Sequence, residues 1–272
     1  MKLLALLSLL FFFEELSADI TDQRVNFNDV LELEVGDPDA VVRYGDVEQL
    51  FGELWLPNQP SRGLVVFVHG GCWLNHFDVR HSRPLAHALS EKGFTVWSLE
   101  YRRLGDPGGG FPGTFEDIDL ATSSLHKLSE HGVDADLITI AGHSAGGHLA
   151  LWAAARFPDR FTGVVGLAAI TDLEAYAAGD SPCEQAAVTL MGGAPNQQSL
   201  RYQAHSPGRM KIHPNTQLVQ GKQDTIVPAF QTEALALDPE RIKFTKGGHF
   251  DVIHPDTSDF GVMLRAIGDS FQ

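Results

Sequence analysis

Ser144 is the residue whose surroundings most directly indicate chemistry. It is the centre of the pentapeptide Gly142-His143-Ser144-Ala145-Gly146, which follows a β-branched run and precedes an Ala-rich segment with helical spacing. This G-x-S-x-G pattern is typical of a sharp strand-to-helix turn that exposes a serine hydroxyl as a nucleophile. Gly142 and Gly146 fit that interpretation, because strand and helix backbones approach too closely there for a Cβ. The alternative is a serine that only caps the helix N-terminus.

A serine nucleophile needs a base to take its proton and an acid to orient that base. In the chain order that accompanies this turn, the candidates are Asp224 as acid and His249 as base. Each follows an apolar run, so both are expected on loops at the carboxyl edge of a parallel sheet. His254 is the rival base, but it directly precedes a proline. Asp172 is the rival acid, but it lies before the segment interpreted as a lid.

The sequence HGGCW at residues 69–73 also follows a buried run and is the candidate oxyanion loop. An oxyanion intermediate must meet fixed N–H donors. The backbone N–H groups of Gly71 and Cys72, together with that of Ala145, are the predicted donors, and Gly70 is the alternate. The residues expected to shape the site without reacting are His69, Gly70, Trp73, Gly142 and Gly146.

The elements that must position these residues alternate between strand and helix patterns. After residue 63, apolar runs such as GLVVFVHG, FTVWSLEY and LITIAG are separated by helical segments. This alternation predicts a mostly parallel sheet with helices on both faces. The runs LELEV and FGELWLP predict antiparallel strands near residues 29–57. Thr114 and Asp117 are predicted to form a capping box at the start of one helix.

Length and composition indicate one large domain. The chain has 272 residues, of which 43% are hydrophobic and 20% charged, and it contains no repeat or low-complexity tract. We expect the domain to cover residues 26–272, with a short lid-like insertion at residues 171–213. The formal charge of −15 would repel phosphate groups, so no nucleic-acid partner is expected.

Residues 1–18 have the pattern of a secretory signal peptide, with a lysine before an apolar run at residues 3–13. The run is too short to span a bilayer, so no stable membrane insertion is expected after cleavage. The protein would then be secreted or periplasmic, and cytoplasmic if the segment is not a signal. In an oxidising compartment its two cysteines, Cys72 and Cys183, are predicted to form a disulfide. Two unpaired buried thiols are the alternative.

These motifs resemble those of the α/β-hydrolase superfamily, in particular the HGGxW branch that includes kynurenine formamidases (arylformamidases) and hormone-sensitive-lipase-like carboxylesterases. The likeness covers roughly residues 44–272 through HGGCW (69–73), EYR (100–102), GHSAGGHLA (142–150), GKQDTIVP (221–228) and GGHFDVI (247–253). The resemblance implies Ser144 as nucleophile, Asp224 as acid and His249 as base. The chain departs from the formamidases at Cys72, where they carry an aromatic or small residue, and in its export signal.

The sequence therefore predicts a serine hydrolase that cleaves small carboxylic esters or aryl formamides through an acyl-enzyme. Its expected partner is a small-molecule ester or amide. No metal or cofactor is expected, because H-E-x-x-H, C-x-x-C and a G-x-G-x-x-G after a strand do not occur. Two other interpretations stay open: a peptidase or acyltransferase with the same triad, and a binding module that has lost the chemistry.

Overall fold

A computed structural model describes residues 24–133 and 136–272 as one structure built on an eight-stranded sheet. The predicted signal segment, residues 1–18, lies outside the described residues. The strands are β1 (Ala40–Arg43), β2 (Phe51–Trp55), β3 (Leu64–Val68), β4 (Thr95–Leu99), β5 (Ile138–His143), β6 (Gly163–Leu167), β7 (Thr216–Gly221) and β8 (Ile242–Thr245). The helices are α1 (Phe27–Leu31), α2 (Arg83–Glu91), α3 (Gly113–Ser123), α4 (Ala145–Arg156), α5 (Leu173–Tyr176), α6 (Pro182–Met191), α7 (Ser199–His205) and α8 (Ser258–Asp269).

The strands are ordered β1-β2-β4-β3-β5-β6-β7-β8 across the sheet. β1 pairs with β2, and β2 with β4, in antiparallel fashion, whereas every pair from β4 to β8 is parallel. All residues of β3, β4 and β6 are buried, because helices cover both faces of the sheet. The predicted mostly parallel sheet with antiparallel N-terminal strands is thus confirmed.

The two faces of the sheet carry separate hydrophobic cores. Alternate residues of β3 point to opposite faces, since side chains alternate along a strand. Val66 packs with residues of α3 and α4, such as Leu149. Phe67 packs with residues of α2 and α8, such as Leu89 and Met263. The carboxyl ends of β3, β5, β7 and β8 therefore meet at one edge, which is where the predicted site residues follow the strands.

The prediction of a strand in LELEV is wrong. Residues 27–31 form α1, and the next strand does not begin until Ala40. The helix forms because Asn26 accepts the N–H groups of Asn28 and Asp29, while the Asp29 side chain accepts the Asn26 N–H. This capping box starts the helix before the apolar alternation. The helix ends at Leu31, so Leu33 and Val35 lie in the following loop.

The predicted capping box of Thr114 and Asp117 is also wrong, although the helix exists. α3 begins at Gly113, and Thr114 Oγ1 donates to the Arg102 carbonyl oxygen at 2.6 Å. Asp117, which is 1% exposed, instead accepts the Arg102 N–H and Nε–H, each at 2.9 Å from Oδ2. A buried ion pair with the loop after β4 thus occupies the carboxylate that the local pattern assigned to the cap.

The segment at residues 171–213 contains α5, α6 and α7 and lies between β6 and β7. Phe111 N–H donates to the Leu190 carbonyl oxygen at 2.8 Å, which joins α6 to the loop after β4. Tyr176 in α5 donates its hydroxyl to the Ile226 carbonyl oxygen at 3.2 Å, beside the predicted acid. No helix in residues 24–133 or 136–272 has the length and apolar character needed to cross a membrane.

Candidate active site

Ser144 lies in a tight turn between β5 and α4, with φ 54° and ψ −118°. The turn requires its flanking glycines: a Cβ on Gly142 would lie 2.2 Å from the Gly146 carbonyl oxygen, and one on Gly146 would lie 2.1 Å from that of Val68. Ser144 occupies the N-cap position of α4, but its side chain caps no helical N–H within the described residues. The left-handed backbone, which costs a non-glycine residue about 1–3 kcal/mol, is held by the Ser144 N–H bond to Leu167 O at 2.8 Å.

Asp224 and His249 form a buried pair at the same edge of the sheet. His249 Nδ1 lies 2.8 Å from Asp224 Oδ2, which also accepts Gln220 Nε2 at 3.1 Å. Asp224 Oδ1 accepts the N–H groups of Ile226 and Val227, each at 2.8 Å. These donors fix the carboxylate, and the carboxylate fixes the imidazole with Nδ1 as its donor, so Nε2 is left to accept a proton.

The rival residues have other roles in the structure. Asp172 is the N-cap of α5, where its Oδ1 accepts the Ala175 N–H at 3.0 Å. His254 Nδ1 accepts the Asp256 N–H at 3.3 Å in the turn before α8. Neither residue lines the cavity that contains Ser144.

Ser144 and His249 are walls of one cavity of about 260 Å³. Its complete lining is Phe27, Gly71, Cys72, Phe77, His81, His143, Ser144, Cys183, Ile226, His249 and Phe250. Within residues 24–133 and 136–272 no hydrogen bond joins Ser144 Oγ to His249. Such catalytic hydrogen bonds are often long without substrate and shorten when it binds. Most of the lining is apolar, so the cavity suits a small apolar group.

The loop after β3 forms a turn that is unusual for its residues. Leu74 N–H donates to the Gly71 carbonyl oxygen at 2.9 Å, and both central residues are left-handed, Cys72 at φ 53° and Trp73 at φ 56°. Glycine, asparagine or aspartate normally occupies these positions. Neither the Gly71 nor the Cys72 N–H donates to an acceptor within the described ranges. Gly71 and Cys72 line the same cavity as Ser144.

Covalent and packing contacts hold this strained turn. Cys72 is joined by a disulfide to Cys183 of α6, with the two Cα atoms 5.0 Å apart. Trp73 is fully buried, and its ring lies 5.4 Å from that of His148 in α4. The Trp73 carbonyl oxygen accepts the Leu104 N–H at 2.7 Å. The turn is thus fixed to the 171–213 segment, to the helix after Ser144 and to the loop after β4.

A buried carboxylate explains why the HGGCW and EYR motifs occur together. Glu100 Oε1 lies 2.9 Å from His69 Nε2 and accepts the Tyr101 N–H, also at 2.9 Å. Its Oε2 accepts the Val79 N–H at 3.0 Å. The Tyr101 ring stacks on His69 and its hydroxyl donates to the His69 carbonyl oxygen at 2.9 Å. Glu100 therefore anchors both ends of the loop that begins with HGGCW.

Two histidines that the sequence analysis did not assign border the site. His143 Nε2 lies 2.9 Å from the His249 carbonyl oxygen, and burial, with the nearby His249, holds the pKa of His143 well below its usual range. Burial, reinforced by His69, lowers the pKa of His81 to about 3. Both rings are therefore neutral at ordinary pH. No three His, Cys, Asp or Glu side chains in the described part of the chain are grouped so as to hold a metal ion.

Comparison with known families and proteins identifies esterase relatives. A family model described as BD-FAE matches residues 53–238, more than half of the chain. Neutral cholesterol ester hydrolase 1 of Pongo abelii is 36% identical over 99 residues, which are 35% of this chain and 24% of that protein. Esterase LipC of Mycobacterium tuberculosis is 28% identical over 113 residues, which are 40% of this chain and 27% of that protein. The match thus spans about a quarter of the length of these curated relatives.

Solved structures confirm the fold. A truncated form of a carbohydrate esterase from gut microbiota superposes with a TM-score of 0.70 at 19% identity, covering 85% of this chain and 95% of that one. A hyperthermophilic esterase from the archaeon Pyrobaculum calidifontis superposes with a TM-score of 0.67 at 21% identity, covering 90% and 86%. The α/β-hydrolase fold expected from the motifs is therefore confirmed.

Replacement of Cys183 by alanine should lower the free energy of unfolding by about 2–4 kcal/mol, because the disulfide closes a long loop in the unfolded chain. Urea unfolding of oxidised wild type and of Cys183→Ala measures the difference. Dithiothreitol should lower the stability of the wild type to that of the variant and leave the variant unchanged. Thiol labelling of denatured, unreduced wild type should add no label, and two added labels would contradict the disulfide.

Proposed function

The chain belongs to the BD-FAE family, and we propose that it is a serine hydrolase of the esterase type that cleaves small carboxylic esters. The observation that carries the proposal is the buried Asp224–His249 pair, 2.8 Å apart, whose histidine lines the same cavity as a serine held in a strained strand-to-helix turn. The names of the curated relatives, a cholesterol ester hydrolase and an esterase, support the same reaction class.

In the proposed reaction, Ser144 Oγ attacks the carbonyl carbon of the ester while His249 Nε2 takes the hydroxyl proton. Asp224 holds the imidazole in the required tautomer and stabilises its positive charge. His249 then gives the proton to the oxygen of the departing alcohol, which leaves an acyl-enzyme. Water attacks this ester with the same base, and the acid is released.

Backbone N–H groups are proposed to stabilise the oxyanion of each tetrahedral intermediate. Gly71 and Cys72 offer N–H groups that have no acceptor among the described residues, and Ala145 offers the first N–H of α4. Loss of one such donor costs about 2.7–4 kcal/mol of transition-state stabilisation. The strain at Cys72 and Trp73 is then part of the mechanism, because it presents the donors before the charge develops.

The size of the cavity favours a short acyl group. About 260 Å³ must hold the acyl chain and the reacting carbonyl, and the walls formed by Cys72, Cys183 and Ile226 are apolar. Each methylene of the acyl chain that is buried contributes only about 0.8 kcal/mol of binding free energy. The protein should therefore discriminate weakly among acyl chains that fit the cavity and should disfavour chains that exceed it. A formyl group also fits, and we propose aryl formamides as a second substrate class.

We also propose that the protein is secreted or periplasmic. The apolar segment within residues 1–18 has the pattern of an export signal. The disulfide between Cys72 and Cys183 supports this location, because such bonds persist in oxidising compartments.

Ser144→Ala and His249→Ala should each lower kcat by about 10⁴-fold or more, since the members of a triad act as a unit. Asp224→Asn should lower it by a similar or smaller factor. The matched control is His254→Ala, which should keep wild-type turnover of p-nitrophenyl acetate. Full activity in His249→Ala together with loss in His254→Ala would show that the base is His254.

A rate series on p-nitrophenyl esters from acetate to decanoate, with N-formylkynurenine added, tests the substrate class. We expect the largest kcat/KM on acetate to butyrate and a decline for longer chains, because these exceed the cavity. Ser144→Ala provides the background rate. No turnover of any ester, combined with fast formamide cleavage, would contradict the ester preference, and no turnover of either class would favour a peptidase or a silent binding module.

A further inference from the structure

A second and larger cavity, of about 550 Å³, lies beside the catalytic cavity. The two share three walls, Phe27, Phe77 and His81. The remaining walls come mainly from α1 with the loop after it and from residues 76–84. The two cavities are therefore neighbours along these shared walls, and we call the larger one the α1 groove.

The α1 side of the groove lies outside the region that matches the family, which begins at residue 53. It is fixed to the catalytic loop through one carboxylate. Asp251 Oδ2 accepts the Val25 N–H at 3.2 Å and the Gly248 N–H at 2.9 Å, directly before His249. The position of α1 is thus coupled to the position of the predicted base.

Phe27 is the central residue of this wall. Its ring centroid lies 5.1 Å from that of Phe77 in an edge-to-face contact and 5.5 Å from that of His81. It also lies 5.8 Å from the ring of Phe250, the residue after His249. Phe27 therefore lines both cavities and contacts the residue that follows His249.

The charges of the groove indicate an uncharged occupant. Arg83 donates to the buried Glu53 carboxylate at 2.6 Å, and Arg80 lies 2.8 Å from Asp78, so both cations are already paired. His81 is 3% exposed, and its Nδ1 has no partner among the described residues. Its ring is neutral at ordinary pH, because burial lowers its pKa to about 3. The lining also carries two carboxylates, Glu34 and Asp78, against the two guanidinium groups, so its charged side chains sum to zero and an anionic group would find no free cation among its described residues.

We propose that the α1 groove binds the alcohol half of the ester, an uncharged alcohol larger than the acyl group, and that Phe27 determines selectivity for it. This inference rests on the proposed esterase function. In acylation, the bond between Ser144 Oγ and the carbonyl carbon forms, the bond from that carbon to the alcohol oxygen breaks, and the oxygen takes its proton from His249. The departing oxygen must lie near His249. The ring of Phe250, the next residue, contacts the ring of Phe27, which lines the groove.

The acyl group then occupies the part of the catalytic cavity lined by Cys72, Cys183 and Ile226, none of which lines the α1 groove. Because the acyl and alcohol groups occupy different sites, a substitution of Phe27 should affect acylation and not deacylation. The alcohol leaves during acylation, so its contacts with the protein enter kcat/KM but not the hydrolysis of the acyl-enzyme. Every acetate ester gives the same acetyl-enzyme, whose deacylation rate should not depend on Phe27.

The experiment compares Phe27→Ala with wild type on 2-naphthyl acetate and methyl acetate. The ratio of kcat/KM for the naphthyl over the methyl ester should fall by about fivefold or more, because the ring that packs on the bulky alcohol is gone. The two esters differ in intrinsic reactivity, but this difference is the same for every variant and cancels when the ratios of variant and wild type are compared. Phe27→Leu, which keeps an apolar side chain if alanine disturbs folding, should lower the ratio by about two- to threefold.

Two controls separate this effect from a general loss of activity. The deacylation rate of the acetyl-enzyme and the ratio of p-nitrophenyl butyrate to acetate should stay within about twofold in both Phe27 variants. Phe230→Ala, a matched change at a residue that is 47% exposed and lines neither cavity, should leave every ratio unchanged.

Three results would overturn the inference. An unchanged naphthyl-to-methyl ratio in both Phe27 variants would show that the alcohol does not contact Phe27. A shift in the butyrate-to-acetate ratio instead would place Phe27 beside the acyl group. Failure of the wild-type protein to cleave any ester would overturn the proposed function itself. This result differs from the other two because it is observed in the wild type, before any variant is compared.

Discussion

The close approach of backbones around Ser144 is the constraint on which the rest of the site depends. A Cβ on Gly146 would lie 2.1 Å from the Val68 carbonyl oxygen, and one on Gly70 would lie 3.2 Å from the Ser144 Cβ. The end of β3 and the start of α4 therefore touch without intervening side chains. This contact brings the turn after β3 beside the turn at Ser144, and Gly71, Cys72 and Ser144 line one cavity.

Strain of this kind persists only where the surroundings oppose its release. The disulfide of Cys72, the buried ring of Trp73 and the carboxylate of Glu100 hold the turn after β3 from three directions. On the other side, Asp224 is held by two backbone N–H groups and by Gln220. The two buried carboxylates of the site, Glu100 and Asp224, thus each accept several hydrogen bonds, which keeps the geometry rigid where the proposed chemistry needs it.

The sequence allowed the fold to be predicted because apolar runs alternate with helical segments along the chain. Ser144 directly follows β5, whereas Asp224 and His249 lie on the loops after β7 and β8, at the same edge of the parallel sheet. The α1 groove had no such signal, since Phe27, Phe77 and Phe250 are brought together by tertiary packing alone. The alternation in LELEV indicated a strand, but the capping box at Asn26 decided the local structure. The carboxylate of Asp117 was assigned to a cap because its partner, Arg102, lies in another loop.

Covalent trapping tests the proposed activation of Ser144 by His249 most directly. Protein treated with a fluorophosphonate should gain the mass of a single phosphonyl group, and peptide mapping should locate it on the peptide that contains Ser144. The labelling rate should fall to background in Ser144→Ala and by several orders of magnitude in His249→Ala, because the hydroxyl then lacks its base. Equal labelling of wild type and Ser144→Ala, or a label on a different residue, would contradict the account.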